Sequence, residues 1–258
     1  MSTIKSAVVS VTFRQKSPEE IVAISKKAGI SGIEWGSDVH VLPGDVALAA
    51  QVRKLTEDAG LDVASYGSYY YASYEGNKFT FEQVLESAVV LGAPNIRIWA
   101  GLGASKDATP ERRAEILADI VRCASLAAEK GITLSLEYHA NTLTDTFEST
   151  MKLLEEANHP NLYTYWQPPL DVADAQHEVD LAALLETGRV TNAHVYRWIK
   201  DGDTVTQYPL SQGEALWKKW LSQLDGKPRY ACMEFVKDGS DEQFLEDASV
   251  LNRLIASI

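Results

Sequence analysis

Two residues that can bind a metal ion or move a proton stand close together in the segment SLEYHA, at positions 135–140. Glu137 and His139 are two positions apart, so their side chains point to the same side if the segment is a β-strand. A carboxylate and an imidazole are costly to bury unless other polar groups pair with them. The role of Glu137 and His139 therefore depends on whether other strand ends in the chain carry similar polar groups.

Similar groups recur near the ends of the short apolar runs that are predicted to form strands. The polar residues at these positions are Glu34, Arg97, Trp99, Glu137, His139, Gln167, Asn192, His194 and Glu234. In four of the runs the polar residues alternate with apolar ones, as Arg97 does between Ile96 and Ile98, so the polar side chains share one face. Two glutamates and a histidine held close together require a positive charge, which a divalent metal ion or an arginine could supply.

The elements that would position these residues alternate along the chain between short apolar runs and longer segments of helical periodicity. Strands are predicted at 7–13, 30–35, 61–67, 95–101, 132–139, 162–168, 189–198 and 230–236. Helices are predicted at 17–29 and 110–130, and near 45–59, 80–91, 146–157, 175–187, 213–224 and 241–256. The first helix has the clearest end signals, with Ser17 as the N-cap, Pro18 at the first helical position and Gly29 after the last turn.

Eight strand–helix units in 258 residues predict an α/β fold, a (β/α)₈ TIM barrel that spans residues 1–258 as a single domain. An open doubly wound sheet is disfavoured, since no GxGxxG segment follows the first predicted strand. The carboxyl ends of barrel strands meet at one mouth. We therefore expect Glu137, Gln167, His194 and Glu234 to lie together there and to hold a metal ion. Glu34 and Arg97 could instead form a buried ion pair with a purely structural role.

Composition narrows the range of partners. The formal net charge of −12 and the lack of a Lys/Arg run disfavour a nucleic acid. Cys123 and Cys232 are far apart, and without a CxxC pair a thiolate zinc site is disfavoured. The sequence shows no signal-peptide pattern and no apolar run long enough to span a membrane, so we expect a cytoplasmic protein. A homo-oligomer is compatible with the sequence.

The chain resembles the xylose-isomerase-like TIM-barrel superfamily, which includes sugar phosphate isomerases and epimerases. The resemblance extends over essentially the whole chain through the segments GIEW, IRIWAG, LEYH, AHVYRW and MEFVKDGS. Epimerase-like members hold one divalent ion with Glu, Asp, His and Glu, and Glu137, His194 and Glu234 match three of these. Gln167 stands where Asp is usual, and Leu170 stands where a His often follows. Two glutamates, a neutral imidazole and an amide suit Mn²⁺ or Mg²⁺, with Co²⁺ or Zn²⁺ as alternatives.

The resemblance implies an isomerase or epimerase that acts on a small sugar or polyol, or on another hydroxy-carbonyl compound, through a cis-enediolate. Glu137 and Glu234 would then serve as the acid and base. The candidates for substrate contacts are His139, Arg97, Arg197, Trp99, Tyr66 and Trp35. Two alternatives stay open. One is a metal-dependent dehydratase of the inosose or dehydroshikimate type, and the other is a barrel that binds a sugar or a metal without turnover.

Overall fold

Eight helices follow eight parallel barrel strands in the computed structural model, which describes residues 2–258. The barrel strands are β1 (Ile4–Val9), β2 (Gly32–Gly36), β3 (Asp62–Tyr71), β4 (Asn95–Trp99), β5 (Thr133–Leu136), β6 (Leu162–Trp166), β7 (Val190–Val195) and β10 (Arg229–Met233). The helices are α1 (Pro18–Ala28), α2 (Val46–Asp58), α3 (Phe81–Leu91), α4 (Pro110–Glu129), α5 (Phe147–Ala157), α6 (Asp174–Glu186), α7 (Glu214–Leu224) and α8 (Asp241–Ala256). The predicted (β/α)₈ barrel is therefore confirmed.

The sheet closes because β1 pairs with both of its spatial neighbours, β2 and β10. Each other barrel strand pairs in parallel with the strand before and after it in the ring, in the order β1-β10-β7-β6-β5-β4-β3-β2. Parallel closure brings the carboxyl ends of all eight strands to one side, here called the mouth. Residues at the ends of strands far apart in sequence can therefore meet there.

Strand residues that face the helices are apolar, and they form the main core between the barrel and the helical layer. Ile96, Ile98, Leu134 and Leu136 belong to this layer and are fully buried. The helix ends follow local signals in the sequence. Ser17 and Thr80 each form a capping box, and Gly29 ends α1 with a φ of 65°.

The first strand differs from its predicted range. β1 ends at Val9, and Ser10–Phe13 form a 3-10 turn instead of continuing the strand. The side chain of Ser10 explains this difference, because its Oγ accepts a hydrogen bond from the backbone N–H of Gly36 at 2.8 Å and lies 2.9 Å from Nδ1 of His40. A serine side chain that bonds to backbone in this way competes with the regular hydrogen-bond ladder of the sheet.

A small hairpin at the mouth was not predicted. The predicted strand at 189–198 ends at Val195, and β8 (Trp198–Asp201) pairs with β9 (Thr204–Gln207) in a separate antiparallel sheet. Its turn contains Gly202 with a φ of 57°, and the Asp-Gly pair at 201–202 is a typical hairpin signal. Among residues 2–258, no helix is long and apolar enough to cross a lipid bilayer.

Candidate metal centre

Four of the predicted site residues lie together at the mouth of the barrel. Glu137 comes directly after β5, Gln167 after β6 and Glu234 after β10, while His194 lies inside β7. All four are buried. The backbone N–H of Glu137 donates to the carbonyl of Ile98 at 2.9 Å, so the chain remains extended beyond the end of β5 and keeps this side chain over the barrel axis.

Three oxygen atoms surround Nδ1 of His194. Oε1 of Gln167 lies at 2.9 Å, Oε2 of Glu234 at 3.2 Å and Oε1 of Glu137 at 3.7 Å. The ligand atoms of Glu137, His194 and Glu234 all lie within 4.8 Å of one another. An ion with bonds of about 2.1 Å holds neighbouring ligand atoms about 3.0 to 3.5 Å apart, so these residues fit a single metal ion.

A second set of charges lies just below this cluster. Nε of Arg97 donates to Oε1 of Glu34 at 2.8 Å, and Nη1 of Arg97 donates to Oε2 of Glu137. The same Oε1 of Glu34 lies 3.5 Å from Nε2 of His194. Glu34 and Arg97 therefore form the ion pair that was considered from the sequence. The pair also contacts two of the candidate ligands, so it helps to orient them.

The burial of these charges shifts their pKa values. Burial alone would lower the pKa of His194, but the carboxylates of Glu234 and Glu34 outweigh it and raise this pKa to about 10. Burial opposes ionisation of Glu34 and Glu234 as well, but Arg97 holds the pKa of Glu34 well below its usual range and His194 lowers the pKa of Glu234. The buried cluster therefore holds three carboxylates and one guanidinium. One divalent ion with a neutral His194 balances the two remaining negative charges.

The second oxygen atoms of the two glutamates have different surroundings. Oε2 of Glu137 accepts hydrogen bonds from Nη1 of Arg97 and from Nε1 of Trp99. Glu234 has no such donors among residues 2–258, and its side chain is 10% exposed against 3% for Glu137. Glu137 is thus fixed through one oxygen, whereas Glu234 keeps one oxygen available at the edge of the mouth.

A chain of hydrogen bonds ties the base of the site to the barrel interior. Nδ2 of Asn192 donates to the hydroxyl of Tyr165 at 2.9 Å, which donates to Oγ of Ser65 at 2.8 Å. Ser65 in turn donates to Oε2 of Glu34 at 2.7 Å. Every member is buried and partnered, so the network fixes Glu34, and through it Arg97, in one arrangement.

Six rings and one guanidinium surround the entrance to the site. We call this group the aromatic collar, and its rings belong to Tyr69, Trp99, His139, Tyr196, Trp198 and Phe235. Arg14 lies between Tyr69 and Phe235, with its guanidinium carbon 5.9 and 5.8 Å from their ring centroids. A cavity of about 700 Å³ adjoins the collar and is bordered by Gln167 and His139.

His139 is exposed and reaches this cavity from the loop after β5. Its ring packs against Trp99 with centroids 5.4 Å apart. Nδ1 lies 2.7 Å from the carbonyl oxygen of Ala140, which can only accept a hydrogen bond, so Nδ1 carries a proton. In the neutral ring Nε2 is then left with a free lone pair that can bind a proton.

Three of the residues that were expected to contact a substrate lie elsewhere. Trp35 and Tyr66 are fully buried in the layer between the barrel and the helices, where they donate to Thr56 and to the carbonyl of Val41. Arg197 faces Asp174 of α6 at 3.8 Å. Strand alternation explains the first two corrections, because Trp35 is adjacent to the inward-facing Glu34 and Tyr66 to Ser65. Arg197 lies beyond the end of β7 at Val195, where this alternation no longer applies.

Two histidines outside the site are buried. His177, in α6, is 3% exposed and its Nε2 donates to the carbonyl of Pro169 at 3.1 Å. His40, in the turn after β2, is buried against Ser10 and Trp35. Both histidines are therefore part of the packing rather than of the mouth.

The sequence interpretation missed Arg14 and Phe235 at the mouth. Phe235 has a φ of 54°, an uncommon value for a residue other than glycine, and it directly follows Glu234. Arg14 follows the 3-10 turn that was assigned to a strand, so its position could not be inferred from strand alternation. Tyr69 lies in the run of tyrosines at 69–71 near the end of β3, a position that does point to the mouth.

Comparison with known proteins identifies the family. The chain belongs to the xylose isomerase-like TIM barrel family, whose sequence model matches residues 22–254. It is 29% identical over 170 residues to a 3-dehydroshikimate dehydratase of Bacillus anthracis, a match that covers 62% of this chain and 60% of that protein.

Solved structures show the same fold. The crystal structure of a probable 3-DHS dehydratase from Bacillus anthracis superimposes with a TM-score of 0.80 at 21% identity, over 96% of this chain and 98% of that one. A D-allulose 3-epimerase from Methylomonas sp. superimposes with a TM-score of 0.71 at 16% identity, over 99% of each chain. At these identities the structures establish the barrel but not the reaction.

Proposed function

We propose that the protein is a metal-dependent lyase that removes water from a polyhydroxylated cyclic ketone of the 3-dehydroshikimate kind. The observation that carries this proposal is the unequal freedom of Glu137 and Glu234. Two donors hold Oε2 of Glu137, whereas Glu234 keeps an oxygen available. The partial sequence similarity to a 3-dehydroshikimate dehydratase supports the same class of reaction. A lyase is thus favoured over the isomerase that was expected from the sequence.

The isomerase would need two glutamates that act on opposite faces of the substrate. One carboxylate would remove a proton from carbon, and the other would return a proton from the other side. Oε2 of Glu137 can take up a proton only if Arg97 or Trp99 gives up its hydrogen bond. The arrangement therefore favours a reaction with one proton acceptor and a separate proton donor, as an elimination of water requires.

Glu234 suits the role of proton acceptor. In the metal-free protein the imidazole of His194 lowers the pKa of Glu234, and a divalent ion in place of the imidazole proton would likewise keep this carboxylate ionised. His139 suits the role of proton donor when its ring carries a second proton, because that proton is on Nε2, which is not engaged with Ala140, and the ring lies on the cavity wall. These two groups lie on different sides of the mouth, after β10 and after β5.

The residues that would hold the metal are Glu137, Gln167, His194 and Glu234, and their donor set suits Mn²⁺ or Mg²⁺. When bound, such an ion would polarise the ketone oxygen and acidify the neighbouring C–H bond. Glu234 takes the proton as this C–H bond breaks, and the electron pair forms a carbon–carbon double bond. The bond to the leaving hydroxyl breaks at the same time or later, and the oxygen departs as water with a proton from His139.

The proposal is tested by the mass of the product. Protein loaded with Mn²⁺ is incubated with 3-dehydroshikimate, and we expect a product lighter by one water together with aromatic absorbance. Glu234→Gln should reduce the rate at least about 10²-fold, the usual contribution of a general base. Glu242→Gln, on the exposed start of α8, is the matched control and should not change the rate.

Two other outcomes would contradict the proposal in different ways. A product of unchanged mass that takes up deuterium from D₂O would indicate an isomerase or epimerase. The ketone or a ketose could instead bind tightly without turnover, and Glu234→Gln could leave growth of the source cells unchanged. These two results together would indicate a barrel that only binds its ligand.

A further inference from the structure

We infer that Arg14 binds a carboxylate group of the substrate, so that the site selects anionic polyhydroxylated ketones over neutral ones. The inference rests on the proposed function, because it names the class of substrate for the same site. It depends on the position of Arg14, on its unused hydrogen-bond donors and on the distribution of charge around the mouth.

Arg14 is placed over the mouth beside a proposed catalytic group. It follows the 3-10 turn at the end of β1, and its guanidinium lies against the ring of Phe235. Phe235 directly follows Glu234 and has a φ of 54°, a strained conformation for an aromatic residue. Its backbone N–H donates to Oγ1 of Thr12 at 3.0 Å. Backbone strain of this kind is typical of functional sites. The hydrogen bond between Phe235 and Thr12 joins the segment that carries Glu234 to the segment that carries Arg14.

The guanidinium of Arg14 is fixed by two hydrogen bonds, and its remaining donors are free to bind a ligand. Nε of Arg14 donates to Oδ2 of Asp38 at 2.6 Å, and Nη2 donates to the hydroxyl of Tyr69 at 2.5 Å. A guanidinium has five N–H donors, so three remain unused among residues 2–258. The side chain is 45% exposed. Because its position is already fixed, little entropy is lost when a planar carboxylate binds to the remaining donors.

Four other cations near the mouth do not offer the same arrangement. Arg97 is buried and already bonded to Glu34 and Glu137. Arg197 faces Asp174 outside the barrel, and Lys200 is paired with Asp171. Lys237, in the 3-10 turn after β10, is exposed, but no contact among residues 2–258 fixes its side chain. Arg14 differs from these cations because Asp38 and Tyr69 already hold its guanidinium in place while three of its donors stay unused.

The charge around the mouth is distributed unevenly. The cavity on the side of β5 and β6 is lined by four carboxylates, those of Asp145, Glu148, Asp171 and Asp180, and by one cation, Lys200, which pairs with Asp171. Carboxylates there accept hydrogen bonds from hydroxyl groups but repel another carboxylate. Arg14 lies on the side of β1 and β10. We therefore expect the hydroxyl-bearing part of the substrate to face the acidic cavity and its carboxylate to face Arg14.

The experiment compares two ligands of nearly the same shape, one with a carboxylate and one with a neutral amide at the same position. The affinities of 3,4-dihydroxybenzoate and 3,4-dihydroxybenzamide for the Mn²⁺-loaded protein are measured by calorimetry. The benzoate has the composition of 3-dehydroshikimate after loss of water. We expect it to bind about ten- to a hundredfold more tightly than the amide, as a charge-assisted hydrogen bond to arginine predicts. Arg14→Gln should remove this preference by weakening benzoate binding alone, and Arg14→Lys should keep part of it.

Arg53→Gln is the matched control. Arg53 is 46% exposed, pairs through Nε with a carboxylate at 2.8 Å and lies on α2, and its substitution should leave both affinities unchanged. Equal binding of the two ligands to the unaltered protein, or binding of neither, would overturn the inference. A preference for the benzoate that persists in Arg14→Gln would also overturn it. The preference is independent of catalysis, so a product of unchanged mass would refute the lyase and leave the role of Arg14 standing.

Discussion

Glu137 and Glu234 approach the same nitrogen of His194, at 3.7 and 3.2 Å, yet only Glu137 has its second oxygen bonded to two donors. The two carboxylates therefore cannot play equivalent roles. Glu137 is held in position by the barrel and would serve as a fixed ligand, while Glu234 could both bind an ion and accept a proton. The proposed elimination of water follows from this asymmetry.

Removing the indole donor to Glu137 should slow the reaction. Trp99→Phe keeps the ring that packs on His139 but loses the Nε1–H donor. A hydrogen bond to a charged group contributes about 1.5 to 3 kcal/mol, so kcat should fall roughly tenfold or more while the fold is retained. The control is Trp35→Phe, which removes a buried indole bonded to Thr56 away from the site. It should lower the melting temperature and leave kcat unchanged, and the same loss of kcat in both variants would contradict the role of Trp99.

Neutralising Glu34 should destabilise the protein and weaken metal binding together. Glu34→Gln leaves the buried guanidinium of Arg97 with one charged partner instead of two. Breaking a buried pair costs about 3 to 5 kcal/mol, which denaturant unfolding measures. Because Glu34 also faces Nε2 of His194, metal affinity should fall about ten- to a hundredfold.

The control for this change is an exposed pair. Glu57→Gln removes the partner of Arg53 on α2, and it should change the free energy of unfolding by less than about 1 kcal/mol. If the two substitutions changed the free energy of unfolding equally, Glu34 would not be part of a buried ion pair with Arg97.

Restoring a carboxylate after β6 should strengthen metal binding. Gln167→Asp adds a negative charge beside Nδ1 of His194, where the amide oxygen now lies at 2.9 Å. We expect the Kd for Mn²⁺ to fall by about tenfold or more, measured by competition with a chelator of known affinity. Gln51→Asp, at an exposed position of α2, adds the same charge away from the cluster and should have no effect. An unchanged Kd in Gln167→Asp would show that position 167 does not face the ion.

Metal binding should also strengthen as the pH rises. The surrounding carboxylates raise the pKa of His194 to about 10, so below this pH the imidazole carries a proton when no ion competes for it. An ion needs the lone pair of Nδ1, so binding must release that proton, and the apparent Kd should fall by up to about tenfold per pH unit. Calorimetry in buffers of different ionisation enthalpy measures the proton release. Binding that is independent of pH and releases no proton would place the ion away from His194.

The barrel and the ligand cluster follow from local patterns. The alternation of short apolar runs and helical periods, with caps such as Ser17 and Gly29, is enough to define the strand–helix units. The alternation of Arg97 with Ile96 and Ile98 is enough to place its side chain inside the barrel. The same alternation places Trp35, next to the inward-facing Glu34, on the helix side of β2. Trp35 was assigned to the substrate pocket because of its residue type, without regard to this alternation.

Other features depend on three-dimensional packing and could not be predicted. The two donors on Oε2 of Glu137 come from β4, and their convergence depends on the register between β4 and β5. Arg14 reaches the mouth because Ser10 ends β1 early through a bond to Gly36. Such contacts between strands far apart in sequence have no local signal.

The central claim is that Glu137, Gln167, His194 and Glu234 hold one divalent ion, and the metal content of the protein tests it most directly. Protein prepared with Mn²⁺ and then desalted is measured by inductively coupled plasma mass spectrometry, beside Glu137→Ala and beside His159→Ala as a control histidine outside the site. Circular dichroism verifies that each variant is folded. The account predicts about one ion per chain in the unaltered protein and in His159→Ala, and almost none in Glu137→Ala. No ion in the unaltered protein, or an ion retained in folded Glu137→Ala, would contradict it.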